Sequence, residues 1–598
     1  MDLAQVSLND KYELEEGRVF ITGTQALIRL PMMQRNRDIA AGLNTACFIS
    51  GYRGSPLGTY DQQLWQAKEY LEKNHIRFQP GLNEDLAATS VWGSQQTNLY
   101  STAKYDGVFA IWYGKGPGVD RSMDVLKHMN SAGMSKNGGV LVLAGDDHAG
   151  VSSTLLHQSE HDFMSAMIPV LHPSNVQEYL DFGLIGWAMS RYSGLAVGFK
   201  CVSETVESAA SVYIDPHRVN IQTPDFELPP GGLSIRWPDD RFQEEHRLHR
   251  HKIYAALAFA RANGIDKTMI DSPKPRIGII TTGKSYLDVM QALDDLGIDG
   301  ELAAKIGIRL YKVGMPWPLE PEGARHFAEG LEEVIVIEEK RAVIENQLKE
   351  QLYNWREDVR PRIVGKFDEH RNWLFPSHGE LSPAEIARFI AARLKPFHSN
   401  PEMEERIDQL DAKERMKKVA AETRDAGTKL ERVPYFCSGC PHNTSTRVPE
   451  GSRATAGIGC HFMALSMNRQ TQTFTQMGGE GTPWIGQAPF VTDNHIFTNL
   501  GDGTYFHSGL LAIRAAVASG VNITYKILYN DAVAMTGGQP HDGQLSVPQI
   551  AQQVWAEGVK KLIVVTDEPD KYPVSRRRPN WAASARSTSR PATRTFPA

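Results

Sequence analysis

Apolar and polar positions alternate along most of the chain in a pattern that predicts β-strands separated by α-helices. Short runs of aliphatic, β-branched and aromatic residues predict the buried strands of parallel sheets. These runs lie at residues 45–49, 107–112, 140–144, 195–201, 277–280, 308–313, 334–337, 495–500 and 523–529. Stretches with apolar residues at helical spacing, such as residues 510–518, lie between them. The expected fold class is therefore α/β, with doubly wound parallel sheets.

Shifts in composition divide the chain into segments. In chain order we expect an α/β domain at residues 19–225, a Pro-, Asp- and Arg-rich linker at 226–273 with a helix near 244–262, a second α/β domain at 274–395, a charged helical linker at 396–432, a final domain at 433–574, and a tail at 575–598.

Composition and charge exclude several classes of function. The chain has 598 residues, and 64 basic against 70 acidic side chains give a formal net charge of −6. Without a basic stripe, nucleic acid and acidic membranes are not expected partners. The first residues are polar and acidic, unlike a signal peptide, and no apolar run approaches the roughly 18 residues of a membrane helix. Five cysteines in so long a chain favour a reducing compartment, so we expect a cytoplasmic location.

A strand–helix–strand pattern near the end of the chain predicts a cation site. Gly501, Asp502 and Gly503 follow one strand, and Asn530 ends the next. Because the carboxyl ends of neighbouring parallel strands lie side by side, Asp502 and the Asn530 side-chain oxygen should reach one cation. Oxygen ligands with room for phosphate suit Mg²⁺, and the glycines let backbone amides approach a diphosphate. The alternative is an ordinary glycine turn.

Three glycine-rich turns follow strands of the first domain, at residues 50–58, 114–118 and 144–150. Loops at the carboxyl ends of strands form the ligand crevice of open α/β sheets, although each turn alone is equally typical of a tight connection. Glu84 begins a predicted helix between the first two turns. The helix dipole alone accounts for an acidic residue at that position.

Three of the five cysteines fall close together, as Cys437, Cys440 and Cys460. Zinc and an iron–sulfur cluster are both possible, but each normally takes four ligands, and no cysteine follows Cys460. His442 or His461 completes a zinc set in one interpretation. The other two cysteines, at positions 47 and 201, lie in predicted strands and are expected in the core.

Residues 278–285 match the letters of a phosphate-binding P-loop. However, Gly278 stands between Ile277 and Ile279, inside a predicted strand. The residues that would cradle phosphate are strand residues, so we expect no P-loop here.

Taken together and in order, these motifs resemble the 2-oxoacid:ferredoxin oxidoreductases, and most closely the long fused form of indolepyruvate:ferredoxin oxidoreductase. The resemblance covers about residues 19–574 and is carried by residues 53–56, 83–84, 437–442, 457–460, 501–503, 530–531 and 535–541. It implies a multidomain thiamine diphosphate-binding fold. Residues 19–225 would be the pyrimidine-binding domain, 274–395 a transketolase C-terminal-like domain, and 433–574 the diphosphate-binding domain.

The resemblance also implies cofactors and roles. Asp502, Asn530 and the Ala532 carbonyl would hold Mg²⁺, and Glu84 would activate the aminopyrimidine ring of thiamine diphosphate. Cys437, Cys440 and Cys460 would be three ligands of a [4Fe–4S] cluster whose fourth ligand is absent from this chain, and His442 is an acid–base candidate. The remaining expected cofactor contacts are Gly54, Ser55, Gly501, Gly503 and Thr536.

The implied reaction is oxidative decarboxylation of a 2-oxo acid, such as an aryl pyruvate, to an acyl-coenzyme A, with electrons passing to ferredoxin. Thiamine sites usually lie between a pyrimidine domain and a diphosphate domain, so a homodimer or a docked second subunit is expected. Two alternatives remain. One is a non-redox thiamine-dependent decarboxylase or ligase, for which the cysteine trio has no use. The other is an inactive remnant that only binds a partner subunit.

The chain departs from the family pattern at its end. The long form continues into a further cysteine, a ferredoxin-like domain with two clusters and a gamma-type domain, which this chain lacks. Residues 575–598 contain no acidic residue, no lysine and no Leu, Ile, Val or Met. Such a stretch cannot extend a core. We expect an out-of-frame or disordered tail that leaves the enzyme truncated and unable to reduce ferredoxin efficiently; a genuine basic tail is the alternative.

Overall fold

The computed structural model describes residues 6–150, 153–398, 400–425 and 433–572, together with the short strand at 581–583. The chain forms two compact units, Met1–Thr428 and Lys429–Ala598. The rest of the predicted tail at 575–598 lies outside the described residues.

Nineteen strands occur in the described part of the chain. They are β1 (Gly17–Thr22), β2 (Thr45–Gly51), β3 (Ile76–Phe78), β4 (Gly107–Lys115), β5 (Val140–Asp146), β6 (Val170–Leu171), β7 (Val197–Val202), β8 (Ala209–Ile214), β9 (Lys267–Ile270), β10 (Ile277–Thr282), β11 (Ile308–Val313), β12 (Glu333–Ile337), β13 (Arg362–Val364), β14 (Ala454–Ala456), β15 (Thr471–Phe474), β16 (Ile496–Gly501), β17 (Ile523–Leu528), β18 (Leu562–Val564) and β19 (Trp581–Ala583).

The first unit contains two large sheets. One is wholly parallel, in the order β3-β2-β4-β5-β7-β6, and the other has the order β13-β12-β10-β11-β9, with only β9 antiparallel. Apolar clusters cover both faces of each sheet, which is why their strands are almost continuously hydrophobic. β1 and β8 form a separate antiparallel pair.

Helices of eight or more residues pack on these sheets. In the first unit they are Gly23–Ala40, Glu84–Gln95, Met123–Ala132, Val176–Ser193, Ile253–Ala262, Gly283–Asp295, Pro321–Ala328, Ile344–Leu352, Pro383–Leu394 and Pro401–Asp425. In the second unit they are Leu510–Ser519 and Val547–Ala556.

The second unit is built on a four-stranded parallel sheet in the order β15-β14-β16-β17. One face of its central strand packs Leu500 against Tyr505 and Ile513 of the helical segment that follows. β18 and β19 form a further parallel pair.

The predicted α/β class with parallel sheets is confirmed. Cys47 and Cys201 are 2% and 0% exposed, as expected for core residues. Gly278 lies inside β10, which confirms that residues 278–285 do not form a P-loop. The structure differs from the prediction at β9, because residues 267–270 belong to the middle sheet and not to the linker before it. Their exposed, polar pattern hid this edge strand. In the described residues, no helix is both long and apolar enough to cross a membrane.

Candidate functional site

The turn that carries Asp502 lies at the carboxyl end of β16. Gly501 is extended, and a helical segment begins at Asp502 and continues through a wider turn at Tyr505–Gly509 into the helix Leu510–Ser519. The backbone N–H groups of the first turn have no carbonyl partner one turn earlier, and the N–H of Gly503 is bonded to Asp502 Oδ1. The start of a helical segment favours negative charge at the end of the strand.

The Asp502 carboxylate is held at the tip of the neighbouring strand. Its Oδ2 accepts the backbone N–H of Asn530 at 2.7 Å and of Asp531 at 2.9 Å, and Oδ1 accepts the N–H of Gly503 at 2.9 Å. The parallel register that aligns Gly501 with Leu528 brings these residues together. Each carboxylate oxygen can accept more than one bond, so the buried carboxylate retains capacity for a cation.

Asn530 and the loop after it offer further oxygen atoms. The exposed Asn530 side chain accepts the Ala532 N–H through Oδ1 at 3.2 Å, which orients that oxygen locally. Thr536 donates its hydroxyl to Gln539 Oε1 at 3.0 Å, and Val533 pairs with Gln539 across the loop. The donor set of Asp502 and Asn530 fits Mg²⁺, a hard cation that prefers oxygen.

The turn at residues 501–503 leaves room for a ligand to approach its backbone. A Cβ added at Gly503 would meet nothing closer than 3.7 Å, whereas one at Gly501 would lie 3.3 Å from the His461 ring. His541 closes the other side, with Nε2 at 3.4 Å from Asp502 Oδ1. Neither histidine was predicted to line this turn. Their positions depend on long-range packing that no local motif reveals.

The three clustered cysteines lie in the same unit, and all are free thiols. Burial, with Cys440 and Cys437 nearby, raises the pKa of Cys460, and burial raises the pKa of Cys440. The Asp502 charge contributes to the shift at Cys460, so the thiols and the Asp502 turn are electrostatic neighbours.

Among the described residues, the three sulfur atoms do not all lie within 4.8 Å of one another. A tetrahedral zinc ion, with Zn–S bonds of about 2.3 Å, would require them to move closer together. The zinc and iron–sulfur interpretations of these cysteines both stay predictions.

His442 lies 6% exposed beside the cysteine segment, and its Nδ1 is 3.1 Å from Ser445 Oγ. Burial lowers its pKa, an effect that the Asp502 charge opposes. His461 is also buried, and burial together with His442 lowers its pKa to about 4. Both rings are therefore neutral near pH 7.

Glu84 belongs to the first unit. It opens the helix Glu84–Gln95, whose cap is formed by Asn83 Oδ1 accepting the Leu86 N–H at 3.0 Å. Trp112 Nε1 donates to the Glu84 backbone oxygen at 2.9 Å, and Arg121 Nε is 3.9 Å from Glu84 Oε2. These contacts fix the start of the helix and place a positive charge beside the carboxylate.

The Glu84 side chain packs on Gly118 in one of the predicted glycine-rich turns. A Cβ at Gly118 would lie 2.7 Å from Glu84 Cγ, so only glycine leaves room for this carboxylate. Gly54 and Ser55 lie in the loop after β2, where a Gly54 Cβ would approach Lys115 Cβ at 3.1 Å. The loops after β2 and β4 therefore meet, as the crevice hypothesis expects.

A cluster that sequence reasoning missed stands on the same face of the first unit. Among the described residues, only Asp120, His157 and Asp162 bring three potential ligand atoms within 4.8 Å of one another. His157 Nε2 lies 2.9 Å from Asp120 Oδ2 and 3.6 Å from Asp162 Oδ2, and its Nδ1 lies 3.5 Å from Asp146 Oδ1. Its contacts with Asp120 and Asp146 outweigh the effect of burial and raise the pKa of His157 to about 10. The ring is therefore positively charged near pH 7 and forms ion pairs with these carboxylates.

Comparisons with known proteins find similarity to indolepyruvate oxidoreductases. Residues 266–422 match the model of the indolepyruvate ferredoxin oxidoreductase middle domain. The chain is 27% identical over 482 residues to the indolepyruvate oxidoreductase subunit IorA of Pyrococcus abyssi, covering 75% of this chain and 68% of the relative. It is 23% identical over 550 residues to the subunit of the same name from Methanothermobacter marburgensis, covering 90% and 79%.

Among solved structures, the 2-oxoglutarate:ferredoxin oxidoreductase from Magnetococcus marinus matches with a TM-score of 0.43 and 15% identity. The match covers 63% of this chain and 65% of that one, so the chain spans slightly less than two thirds of that protein's length.

Proposed function

We propose that this chain, which is similar to the indolepyruvate oxidoreductase subunits named above, carries out thiamine diphosphate-dependent oxidative decarboxylation of a 2-oxo acid. The observation that carries the proposal is the Asp502 carboxylate, which joins the tips of two parallel strands beside free thiols. An aryl pyruvate such as indolepyruvate is the proposed substrate. Coenzyme A is the proposed acyl acceptor and ferredoxin the electron acceptor.

Asp502 and Asn530 would hold Mg²⁺ through side-chain oxygens, with the Ala532 carbonyl as a third ligand. The backbone N–H groups that follow Gly501 would donate to the diphosphate, and the open space over Gly503 admits it. When bound, thiamine diphosphate would supply a carbon nucleophile for the 2-oxo acid and a sink for the electron pair released as CO₂ leaves. A Mg²⁺ ion held by Asp502 would neutralise part of the negative charge of the diphosphate.

Glu84 would hold a proton at the aminopyrimidine ring and so make the exocyclic amine available as a base. Its position at the first helical turn, against Gly118 and near Arg121, limits the movement of the carboxylate. A carboxylate held in this way would keep its hydrogen bond to the aminopyrimidine ring, as a proton relay requires.

Cys437, Cys440 and Cys460 would bind an iron–sulfur cluster that accepts electrons one at a time. The elevated pKa values of Cys440 and Cys460 mean that these thiols lose protons when iron binds, so cluster binding should release protons. The neutral His442 ring remains available as an acid–base group near the cluster segment. The curated relatives are named as subunits, and we propose a partner subunit for this chain as well.

The proposal is tested with the full chain, reconstituted anaerobically with iron, sulfide, Mg²⁺ and thiamine diphosphate. Indolepyruvate, pyruvate and 2-oxoglutarate are compared as substrates, with CO₂ release and reduction of a viologen dye as separate readouts. Coenzyme A-dependent dye reduction with indolepyruvate supports the proposal. Carbon dioxide release without dye reduction would favour a non-redox decarboxylase. The absence of both carbon dioxide release and dye reduction would contradict both functions.

A further inference from the structure

Glu480 is a buried acid in the second unit to which no role has been assigned above. It is 0% exposed, and burial raises the pKa of its carboxyl group to about 7. Its Oε2 accepts the backbone N–H of Gly478 at 2.8 Å. Among the described residues, Oε1 has no hydrogen-bond partner. Burying a carboxyl group that has an unsatisfied oxygen costs free energy, so we expect Glu480 to have a role in the site.

The carboxyl group of Glu480 packs directly against Gly457. Any residue other than glycine at position 457 would place its Cβ in the space that the carboxyl group occupies. A Cβ at Gly457 would stand 2.0 Å from Glu480 Oε1 and 2.4 Å from Cδ. Gly457 directly follows β14, at the same edge of the sheet as Gly501. The contact therefore fixes how the chain leaves β14.

The segment that Glu480 holds, residues 457–461, connects two parts of the candidate site. The Ile458 carbonyl accepts the Thr504 hydroxyl at 3.2 Å, which ties the segment to the helical turn after Asp502. Cys460 lies two residues further along. His461, which comes next, packs 3.3 Å from the position of a Gly501 Cβ.

A third contact ties Glu480 to the strand that leads to Asn530. Tyr525 of β17 donates its hydroxyl to the Glu480 backbone oxygen at 3.0 Å. Glu480 thus contacts the loop after β14 and the strand β17, and the loop after β14 is in turn bonded to the turn after β16.

We infer that Glu480 is a positioning residue. Its carboxyl group packs on Gly457 and holds the start of the segment 457–461, so that Cys460 and the Thr504 turn keep the geometry that both proposed cofactors need. The inference rests on the proposed function where it concerns cofactor binding. Where it concerns the conformation of residues 457–461, it does not depend on any cofactor.

Three variants of the full chain test this inference. Glu480→Leu fills a similar volume but accepts no hydrogen bond, whereas Glu480→Gln keeps one acceptor oxygen. Gly457→Ala places a methyl group where the carboxyl group lies. Gly486→Ala is the matched control, because a Cβ there meets nothing within 4 Å and the residue is helical.

Two readouts are measured. Hydrogen exchange by mass spectrometry follows peptides that cover residues 457–461 in the cofactor-free chain, and calorimetry follows thiamine diphosphate binding with Mg²⁺. We expect Glu480→Leu and Gly457→Ala to accelerate exchange in this segment about tenfold and to weaken binding about tenfold, which is the loss of one hydrogen bond of about 1.4 kcal/mol. Glu480→Gln should have an exchange rate and a thiamine diphosphate affinity close to those of the wild type. Gly486→Ala should match the wild type in both.

Unchanged exchange and affinity in Glu480→Leu would overturn the inference. So would equal losses in the Leu and Gln variants, or acceleration spread over the whole second unit, because either result would indicate a merely structural role. If the wild-type chain binds no thiamine diphosphate, the proposed function fails, and the exchange measurement alone still decides whether Glu480 holds the segment.

Discussion

Asp502 Oδ2 accepts the backbone N–H of Asn530 at 2.7 Å, although the two residues are 28 positions apart in the chain. The bond sets the Asn530 backbone beside the carboxylate, so two of the residues proposed to bind Mg²⁺ are already neighbours. A site organised in this way loses little conformational freedom when the cation and its diphosphate bind. The second unit therefore should bind the cofactor without a large rearrangement of this turn.

Glu84→Gln should retain thiamine diphosphate affinity within about threefold but slow exchange of the C2 proton about 100-fold or more, the usual size of a general acid–base contribution. The amide cannot stabilise a protonated ring nitrogen. Proton NMR of the bound cofactor in deuterated buffer measures the exchange. Asp85→Asn, the neighbouring acid that is more exposed, is the control and should exchange normally. Normal exchange in Glu84→Gln would assign the role to another residue.

Gly118→Ala should reproduce the effect of the glutamate substitution, because the new methyl group would stand 2.7 Å from Glu84 Cγ and must displace it. The same exchange experiment measures the loss. Gly93→Ala, in the helix that Glu84 begins, meets nothing within 4 Å and should leave exchange unchanged while stabilising the helix by about 0.5–1 kcal/mol. Equal exchange rates in both alanine variants would show that the Gly118 contact does not position Glu84.

Cys460→Ser should abolish most of the iron and sulfide bound after anaerobic reconstitution, together with the electron paramagnetic resonance signal of the reduced cluster. A serine hydroxyl is a poor ligand for a site built from thiolates. Cys47→Ala, at a buried cysteine in the first unit, is the control and should retain full iron content. If Cys460→Ser keeps its iron, the cluster has other ligands.

Lys252 should make the stability of the first unit rise with pH. Its Nζ is buried and donates to the Asn130 and Ser131 carbonyls, and burial, with Arg247 nearby, lowers its pKa from 10.5 to about 7. Between these values the unfolded chain binds the proton and the folded chain does not, so the free energy of unfolding increases with pH. This contribution is complete above pH 10.5 and is lost as the pH falls towards 7.

Lys252→Met removes this titration. Urea unfolding of both proteins from pH 7 to 9.5 should show a difference that grows in favour of the wild type, by at most about 1.4 kcal/mol per pH unit. Parallel curves would show that the folded-state pKa of Lys252 is not depressed. Lys274→Met, an exposed lysine, is the control and should leave the slope unchanged.

The strands of the parallel sheets could be predicted from local sequence patterns, because strands buried on both faces are almost continuously apolar. β11 matches its predicted bounds, and β2, β4 and β5 begin at the predicted residues but run two or three residues further. The proximity of Asp502 and Asn530 also followed from strand order alone. β9 could not be found in this way, because an exposed edge strand carries no apolar run.

The residues that position the site were harder to predict than those proposed to carry chemistry. Glu480 acts through its packing on Gly457, more than twenty positions earlier, and Gly118 acts through Glu84. Both depend on close approaches between loops from different strands. The glycines of these turns were visible in the sequence, but only the fold shows which side chain each glycine admits.

The central claim is that the Asp502 turn binds Mg²⁺ and thiamine diphosphate, and isothermal titration calorimetry of the full chain tests it most directly. The wild type should bind thiamine diphosphate only with Mg²⁺ present. Asp502→Ala should weaken that binding at least about 100-fold, a loss of about 2.7 kcal/mol, while Asp493→Ala, an exposed acid of the same unit, should bind normally. Magnesium-dependent binding of equal affinity in Asp502→Ala and the wild type would contradict the claim.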